Sequence, residues 1–125
     1  MAAVIEIDDQ STENHLEKLK EESGDKLVVV DFGAMWCAEC ATIKPVFAAL
    51  ADQMKDAAIF VYCDVDENDD TAIALQITNL PCFHFYKGGK LVKDHHPWRE
   101  LNEAAKKGEK TGMEDILRKE IEAHK

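Results

Sequence analysis

The sequence predicts an α/β fold in which a central mixed sheet of four or five strands carries helices on both faces. Three observations lead to this prediction. Residues 27–32 are apolar and mostly β-branched apart from Asp31, as in a strand that is covered on both faces. The next segment repeats apolar residues at three- and four-residue steps, which is typical of a helix with one buried face. Further strand-like segments follow, two of them joined by the turn pair Gly88-Gly89.

The composition limits the classes of function. A chain of 125 residues and 14.1 kDa fits a single domain over residues 1–125. Its formal charge of −10 argues against nucleic acid and against an anionic membrane as partners. No apolar run approaches the length of a membrane span, and the N-terminal sequence does not resemble a signal peptide. We therefore expect a cytoplasmic protein, in which four cysteines indicate catalysis or metal binding rather than a disulfide framework.

The first half of the chain contains two predicted strands and two predicted helices. Residues 4–7 predict a short strand, and Ser11 predicts the N-cap of a helix that runs to about Glu22. The strand over residues 27–32 follows the turn residues 23–25. The second helix starts at the cysteines near residue 37 and presents one apolar face, made by Ile43, Phe47, Leu50, Ala51 and Met54.

The second half continues the alternation of strands and helices. The predicted strands cover residues 57–65, 83–86 and 90–95, and the predicted helices cover residues 71–75, 98–107 and 113–123. Thr111 and Glu114 have the spacing of a capping box for the last helix. Residues 99–112 are either a surface insertion without a functional role or an added loop near the functional site.

Cys37 and Cys40 carry the predicted chemistry. Cys37 would lie at the helix N-terminus, where unpaired backbone N–H groups and the macrodipole stabilise a thiolate, so we expect it to be the nucleophile. Cys40 would lie one turn further on, where its thiol can attack a mixed disulfide at Cys37 and release the target. A lone Cys-x-x-Cys is also shared with zinc sites. A four-cysteine zinc site with Cys63 and Cys82 is a poor candidate, because only the first pair has ligand spacing, and we predict no metal.

Asp31 is the candidate proton acceptor for Cys40. It interrupts an otherwise apolar strand, and burial without a cationic partner would raise the pKa of its carboxyl towards neutrality. The alternative is a carboxylate at an edge or turn that is exposed to water. The apolar neighbours favour the buried position.

The run DFGAMWCAEC, followed by Pro45, resembles the active-site segment of the thioredoxin family. Leu80-Pro81-Cys82-Phe83 resembles the family's cis-proline strand, and Gly88-Gly89 resembles its hairpin. The resemblance covers about residues 5–97. It implies a thioredoxin-like fold and a thiol–disulfide oxidoreductase that reduces protein disulfides.

The resemblance also implies partners and a docking surface. No cofactor would be bound, since the redox group is the disulfide itself, and electrons would come from NADPH through thioredoxin reductase. The partners would be protein disulfide substrates and that reductase, and the protein would be a monomer. The Leu80–Pro81 bond would be cis. Substrates would dock on seven residues: Trp36, Ala38, Glu39, Leu80, Pro81, His96 and Pro97.

Several residues depart from the family pattern. Ala38-Glu39 replaces Gly-Pro between the cysteines, Tyr62 stands where a Lys or Glu usually faces the buried Asp, and Pro97 replaces a glycine. Cys82 stands where the family commonly has Thr, and it would be a small packing residue or a third redox thiol. These departures leave open an alternative, in which the chain is a non-catalytic or weakly redox-active subunit of a larger assembly, such as a dynein light chain.

Overall fold

Five strands form one mixed sheet in the computed structural model, which describes residues 3–12, 14–108 and 112–125. The strands lie in the order β1-β3-β2-β4-β5, with β1 and β2 parallel to β3 and with β4 antiparallel to both β2 and β5. Their bounds are β1 Val4–Glu6, β2 Leu27–Gly33, β3 Ala58–Asp64, β4 Cys82–Lys87 and β5 Lys90–His95. The predicted mixed sheet is confirmed, and β2 is its central strand.

Helices cover both faces of this sheet. Their bounds are α1 His15–Glu22, α2 Ala38–Gln53, α3 Asp69–Ala74, α4 Pro97–Lys106 and α5 Met113–His124. Side chains of α2 and α5 pack on one face, whereas Leu16 and Leu19 of α1 pack on the other. No helix within the described residues is long and apolar enough to cross a membrane.

The central strand β2 is buried along its whole length, as the sequence predicts. Leu27 and Val29 point towards α2 and α5, and Val28, Val30 and Phe32 point towards α1, since successive side chains of a strand alternate between faces. On the α2 side the Phe47 ring lies 5.3 Å from that of Phe60, between ring centroids. Packing on both faces holds β2 in place in the sheet. It therefore also positions the N-terminus of α2, which follows β2 in the chain.

The start of the first helix differs from the prediction. Helix α1 begins at His15 after Asn14, not after Ser11. The Asp8 carboxylate accepts hydrogen bonds from the backbone N–H groups of Gln10 and Ser11, at 3.1 Å each, so this segment forms an Asx-type turn instead of a helix. At α5 the helix follows Gly112, and the predicted capping residue Thr111 lies outside the described residues.

The hairpin between β4 and β5 turns at two glycines, as predicted. Gly88 and Gly89 have φ angles of 60° and 79°, which residues with a side chain rarely adopt. The turn brings β5 antiparallel to β4, so that His84 lies opposite Asp94 in the ladder.

Candidate active site

Cys37 and Cys40 are joined by a disulfide at the start of α2. Their Cα atoms are 5.2 Å apart, and Cys37 is the N-cap residue of the helix. Its Sγ accepts a hydrogen bond from the backbone N–H of Cys40 at 3.1 Å. Cys37 is 9% exposed and Cys40 is 3% exposed. A partner therefore reaches Cys37 first, and a Cys37 thiolate would lie against an N–H donor and the positive end of the helix dipole.

Asp31 is the buried carboxyl of this region. It is 1% exposed in β2, between Tyr62 of β3 and Phe83 of β4. Neither carboxyl oxygen has a hydrogen-bond partner among the described residues. Burial raises the pKa of Asp31 to about 7, and the nearby Lys44 cation opposes that rise. The carboxyl can therefore take up and release a proton near neutral pH.

Gly33 connects Asp31 with Cys40. Asp31 and Gly33 lie two positions apart in β2, so both face the same side of the sheet, towards α2. A Cβ atom at Gly33 would lie 3.4 Å from the Cβ of Cys40 and 3.0 Å from the Oη of Tyr62. The second cysteine thus packs over the same face of β2 that carries the buried carboxyl.

The cation near Asp31 was not foreseen, whereas Tyr62 faces Asp31 as the sequence indicates. The sequence predicted no cationic neighbour, but Lys44 follows Cys40 by one helical turn and places its Nζ 4.3 Å from the centre of the Tyr62 ring. The i,i+4 spacing from Cys40 is the signal that would have found it. Tyr62 makes no hydrogen bond to Asp31, and burial, followed by the Asp31 charge, raises the pKa of its phenol to about 12.

The close approach at Gly33 makes a first testable prediction. Gly33→Ala should lower the free energy of unfolding by about 1–3 kcal/mol, because the new methyl group overlaps the Tyr62 hydroxyl in a packed interior. Tyr62→Phe removes that oxygen, so the double variant should recover at least about 0.5 kcal/mol relative to additivity. Urea denaturation of the four proteins measures this coupling, and strict additivity would contradict the contact.

A groove of about 490 Å³ opens beside the disulfide. It is lined by four residues of the predicted docking surface, Trp36, Ala38, Glu39 and Leu80, together with Cys37 and four that the sequence did not indicate, Val65, Ile77, Thr78 and Asn79. Trp36 is 71% exposed, and its Nε1–H donates to Asp66 at 2.8 Å. The Leu80–Pro81 bond is cis, as expected. Cys37 forms part of the wall of this groove.

The remaining three residues of the predicted docking surface, Pro81, His96 and Pro97, are not part of the groove lining. Pro97 is the buried first residue of α4, a position that suits proline because the first helical N–H needs no partner. His96 is half-buried and places its Nε2 3.4 Å from Asp94. The groove lining contains none of these three residues, so their part in docking remains a prediction.

The other two cysteines are buried free thiols. Cys63 lies in the core, as predicted, and burial raises the pKa of its thiol to about 12. Burial and the neighbouring Asp94 raise the pKa of the Cys82 thiol to about 12 as well. Thiols that stay protonated are poor nucleophiles, and this favours the packing role of Cys82 over a redox role.

Comparison with known proteins agrees with this geometry. The thioredoxin family model matches residues 4–109. A thioredoxin from Geodia cydonium is 44% identical over 84 residues, which are 67% of this chain and 78% of that protein. The crystal structure of a thioredoxin from Nicotiana alata superposes with a TM-score of 0.75 at 30% identity, covering 99% of this chain and 94% of that chain. A chain in the crystal structure of a complex of ferredoxin:thioredoxin reductase and thioredoxin f2 superposes with a TM-score of 0.68 at 26% identity, covering 86% of this chain and 96% of that chain.

The fold, the paired cysteines and these matches define a thiol–disulfide oxidoreductase. The chain belongs to the thioredoxin family. Thioredoxins act on protein disulfides, are reduced by reductases, and work through a redox-active disulfide without a prosthetic group. The alternative of a non-catalytic subunit, such as a dynein light chain, is not favoured.

Proposed function

We propose that Cys37, Cys40 and Asp31 divide the reduction of a protein disulfide between them. The Cys37 thiolate attacks one sulfur of the target, which breaks the target disulfide and forms a mixed disulfide with Cys37. Cys40 then gives up its proton to Asp31 and attacks Cys37, which closes the Cys37–Cys40 disulfide and releases the second target thiol. The observation that supports this order is the greater exposure of Cys37 beside the N–H donor of Cys40.

The docking surface that we propose combines the groove and the nearby loops. Trp36, Ala38, Glu39, Leu80 and Pro81 would contact the target chain around the reacting sulfur. The cis-proline segment would offer backbone groups for pairing with an extended substrate. His96 and Pro97 would contact parts of the target further from the disulfide.

For the electron supply we propose NADPH, acting through a flavoprotein thioredoxin reductase. One structural neighbour was crystallised with ferredoxin:thioredoxin reductase, and this supports reductase docking on the same fold. We further propose a cytoplasmic monomer that forms one domain over residues 1–125. Two buried thiols that have formed no disulfide suit a reducing compartment.

Insulin reduction tests this function and its electron donor together. The pure protein should reduce insulin disulfides with dithiothreitol as donor, and should do so with NADPH and a flavoprotein thioredoxin reductase. Failure with both donors would overturn the proposed reaction. Activity with dithiothreitol alone would overturn the proposed donor and leave the reaction intact.

Glu39 should tune the redox potential. Its carboxylate lies in the first turn of α2, where it disfavours a thiolate at Cys37 and so favours the disulfide. We expect Glu39→Gln to make the potential less negative by about 5–20 mV, since a solvent-exposed charge has a small effect. A glutathione titration measures the potential, and Glu21→Gln on α1 is the matched control. A more negative potential in the Glu39 variant would contradict this role.

A further inference from the structure

Four side chains with metal-ligating atoms lie together on β4 and at the end of β5. His84 is opposite Asp94 in the antiparallel ladder, and one pair further on Phe83 is opposite His95. Cys82 is two residues before His84, and His96 is two residues after Asp94. Because strand side chains alternate, Cys82, His84 and Asp94 project from the same side of the sheet, the one that packs against α1. His96 follows the end of β5, and its ring nitrogen lies close to Asp94.

One oxygen of Asp94 is the centre of this cluster. Its Oδ1 lies 3.4 Å from the Sγ of Cys82, 3.4 Å from the Nε2 of His96 and 3.7 Å from the Nε2 of His84. Ligand atoms at neighbouring corners of a tetrahedral zinc site are about 3.3–3.8 Å apart, from metal–ligand bonds of about 2.0–2.3 Å. The ligand atoms of Cys82, Asp94 and His96 also lie within 4.8 Å of one another. The spacing therefore fits a shared metal ion.

We propose that Cys82, Asp94 and His96 bind a divalent transition-metal cation of the zinc type, with the fourth position taken by His84 or by water. Binding is a ligand exchange without electron transfer. The Cys82 thiol loses its proton to solvent, its sulfur replaces a water on the ion, and the Asp94 carboxylate and the His96 imidazole replace two more.

The chemistry of these ligands favours zinc over magnesium or calcium. Thiolate and imidazole are ligands for zinc and its transition-metal neighbours, whereas magnesium and calcium require an all-oxygen shell. In the metal-free protein the Cys82 thiol donates a hydrogen bond to Asp94, with its Sγ 3.4 Å from the Oδ1. A cation in its place exchanges this weak hydrogen bond for bonds to two anionic ligands.

The surroundings of the cluster let a metal ion enter from solvent, and they orient the His84 ring. The Asp94 side chain is 55% exposed, so the ion can arrive from solvent, while Cys82 supplies a buried ligand below it. The Nδ1 of His84 lies 3.0 Å from the Tyr86 hydroxyl. When Nδ1–H donates to that oxygen, the Nε2 lone pair is free to face the Asp94 carboxylate and the ion.

Cobalt binding to the disulfide form of the full chain tests this site. The disulfide keeps Cys37 and Cys40 from binding the probe, so thiolate ligation can come only from the remaining cysteines, Cys63 and Cys82. One equivalent of Co²⁺ should give the near-ultraviolet thiolate-to-cobalt charge-transfer absorption, and Zn²⁺ should displace it. Cys82→Ala should remove this absorption, and Cys63→Ala should keep it.

His96→Gln provides a second test at a more accessible position, in case Cys82→Ala fails to fold. It should weaken Co²⁺ binding at least tenfold while leaving the thermal unfolding midpoint of the metal-free protein within a few degrees. Three results would overturn the proposal: no absorption in the wild type, absorption that survives Cys82→Ala, or cobalt binding without thiolate absorption. The last would instead indicate the cluster of His95, Glu100 and Glu120, which has no sulfur ligand.

Discussion

Cys37→Ser should abolish the reduction of insulin disulfides, with a loss of at least about a thousandfold in rate. Serine at this position keeps the N-cap geometry of α2 but has no thiolate to attack the target. The fold should therefore survive, and only the first covalent step should be lost. The measurement is insulin reduction with dithiothreitol or with NADPH and reductase as donor.

Cys63→Ala is the matched control for this experiment. It removes a thiol from the core of β3, and its protein should retain activity close to that of the wild type. If the Cys37 variant kept more than about a tenth of the activity, the assignment of the nucleophile would be wrong. If both variants were inactive, the loss would be traced to folding, which circular dichroism would reveal.

Asp31→Asn should stabilise the fold by up to about 4 kcal/mol at pH 8. The folded carboxyl has a pKa of about 7, and an unfolded aspartate titrates near 3.9, so the difference is about three units at about 1.36 kcal/mol each. Between about pH 4 and 7 the folded state holds a proton that the unfolded state has lost. Wild-type stability should therefore fall as the pH rises through this range, and should level off above pH 7.

The pH dependence separates this effect from a simple packing change. At pH 4 both folded proteins are uncharged at position 31 and the unfolded aspartate is about half protonated, so their unfolding free energies should nearly agree. Asp52→Asn changes an exposed carboxyl of α2 and should give no comparable divergence. Urea denaturation from pH 4 to pH 8 measures all three proteins. A difference between wild type and Asp31→Asn that stays constant with pH would contradict the buried titrating carboxyl.

The same variant should lose activity while it gains stability. Without a carboxylate at position 31, Cys40 has to give its proton to water, and removal of a positioned base typically costs about a hundredfold or more. The loss should appear in resolution of the mixed disulfide rather than in its formation. Equal rates for wild type and variant would show that Asp31 only destabilises the fold.

The parts of the fold that were predictable are those that local pattern controls. The central strand followed from a continuous apolar run, and the β4–β5 hairpin followed from two adjacent glycines. The start of α1 was missed because the Asp8 carboxylate accepts hydrogen bonds from the backbone N–H groups of Gln10 and Ser11. These bonds stabilise a turn at the position where the sequence predicts the start of the helix. Propensity at Ser11 could not reveal that competition.

The site was predictable only as far as its residues are close in sequence. Cys37 and Cys40 share one helix turn, and Asp31 stood out in an apolar strand, so each could be selected before the structure. Lys44, the cation near Asp31, could have been found from its i,i+4 spacing to Cys40. The inner wall of the groove could not, because it depends on the tertiary packing of residues 77–80, which no local pattern encodes. The cluster at Asp94 likewise needs the register of β4 against β5.

Mapping of trapped intermediates tests the central assignment most directly. Cys40→Ser and Cys37→Ser are each incubated with a protein disulfide, and the adducts are located by peptide mass spectrometry without reduction. Cys40→Ser should accumulate a mixed disulfide through Cys37, while Cys37→Ser should accumulate almost none through Cys40. Adducts on Cys40 as abundant as those on Cys37 would contradict the assignment of Cys37, the more exposed cysteine, as the nucleophile.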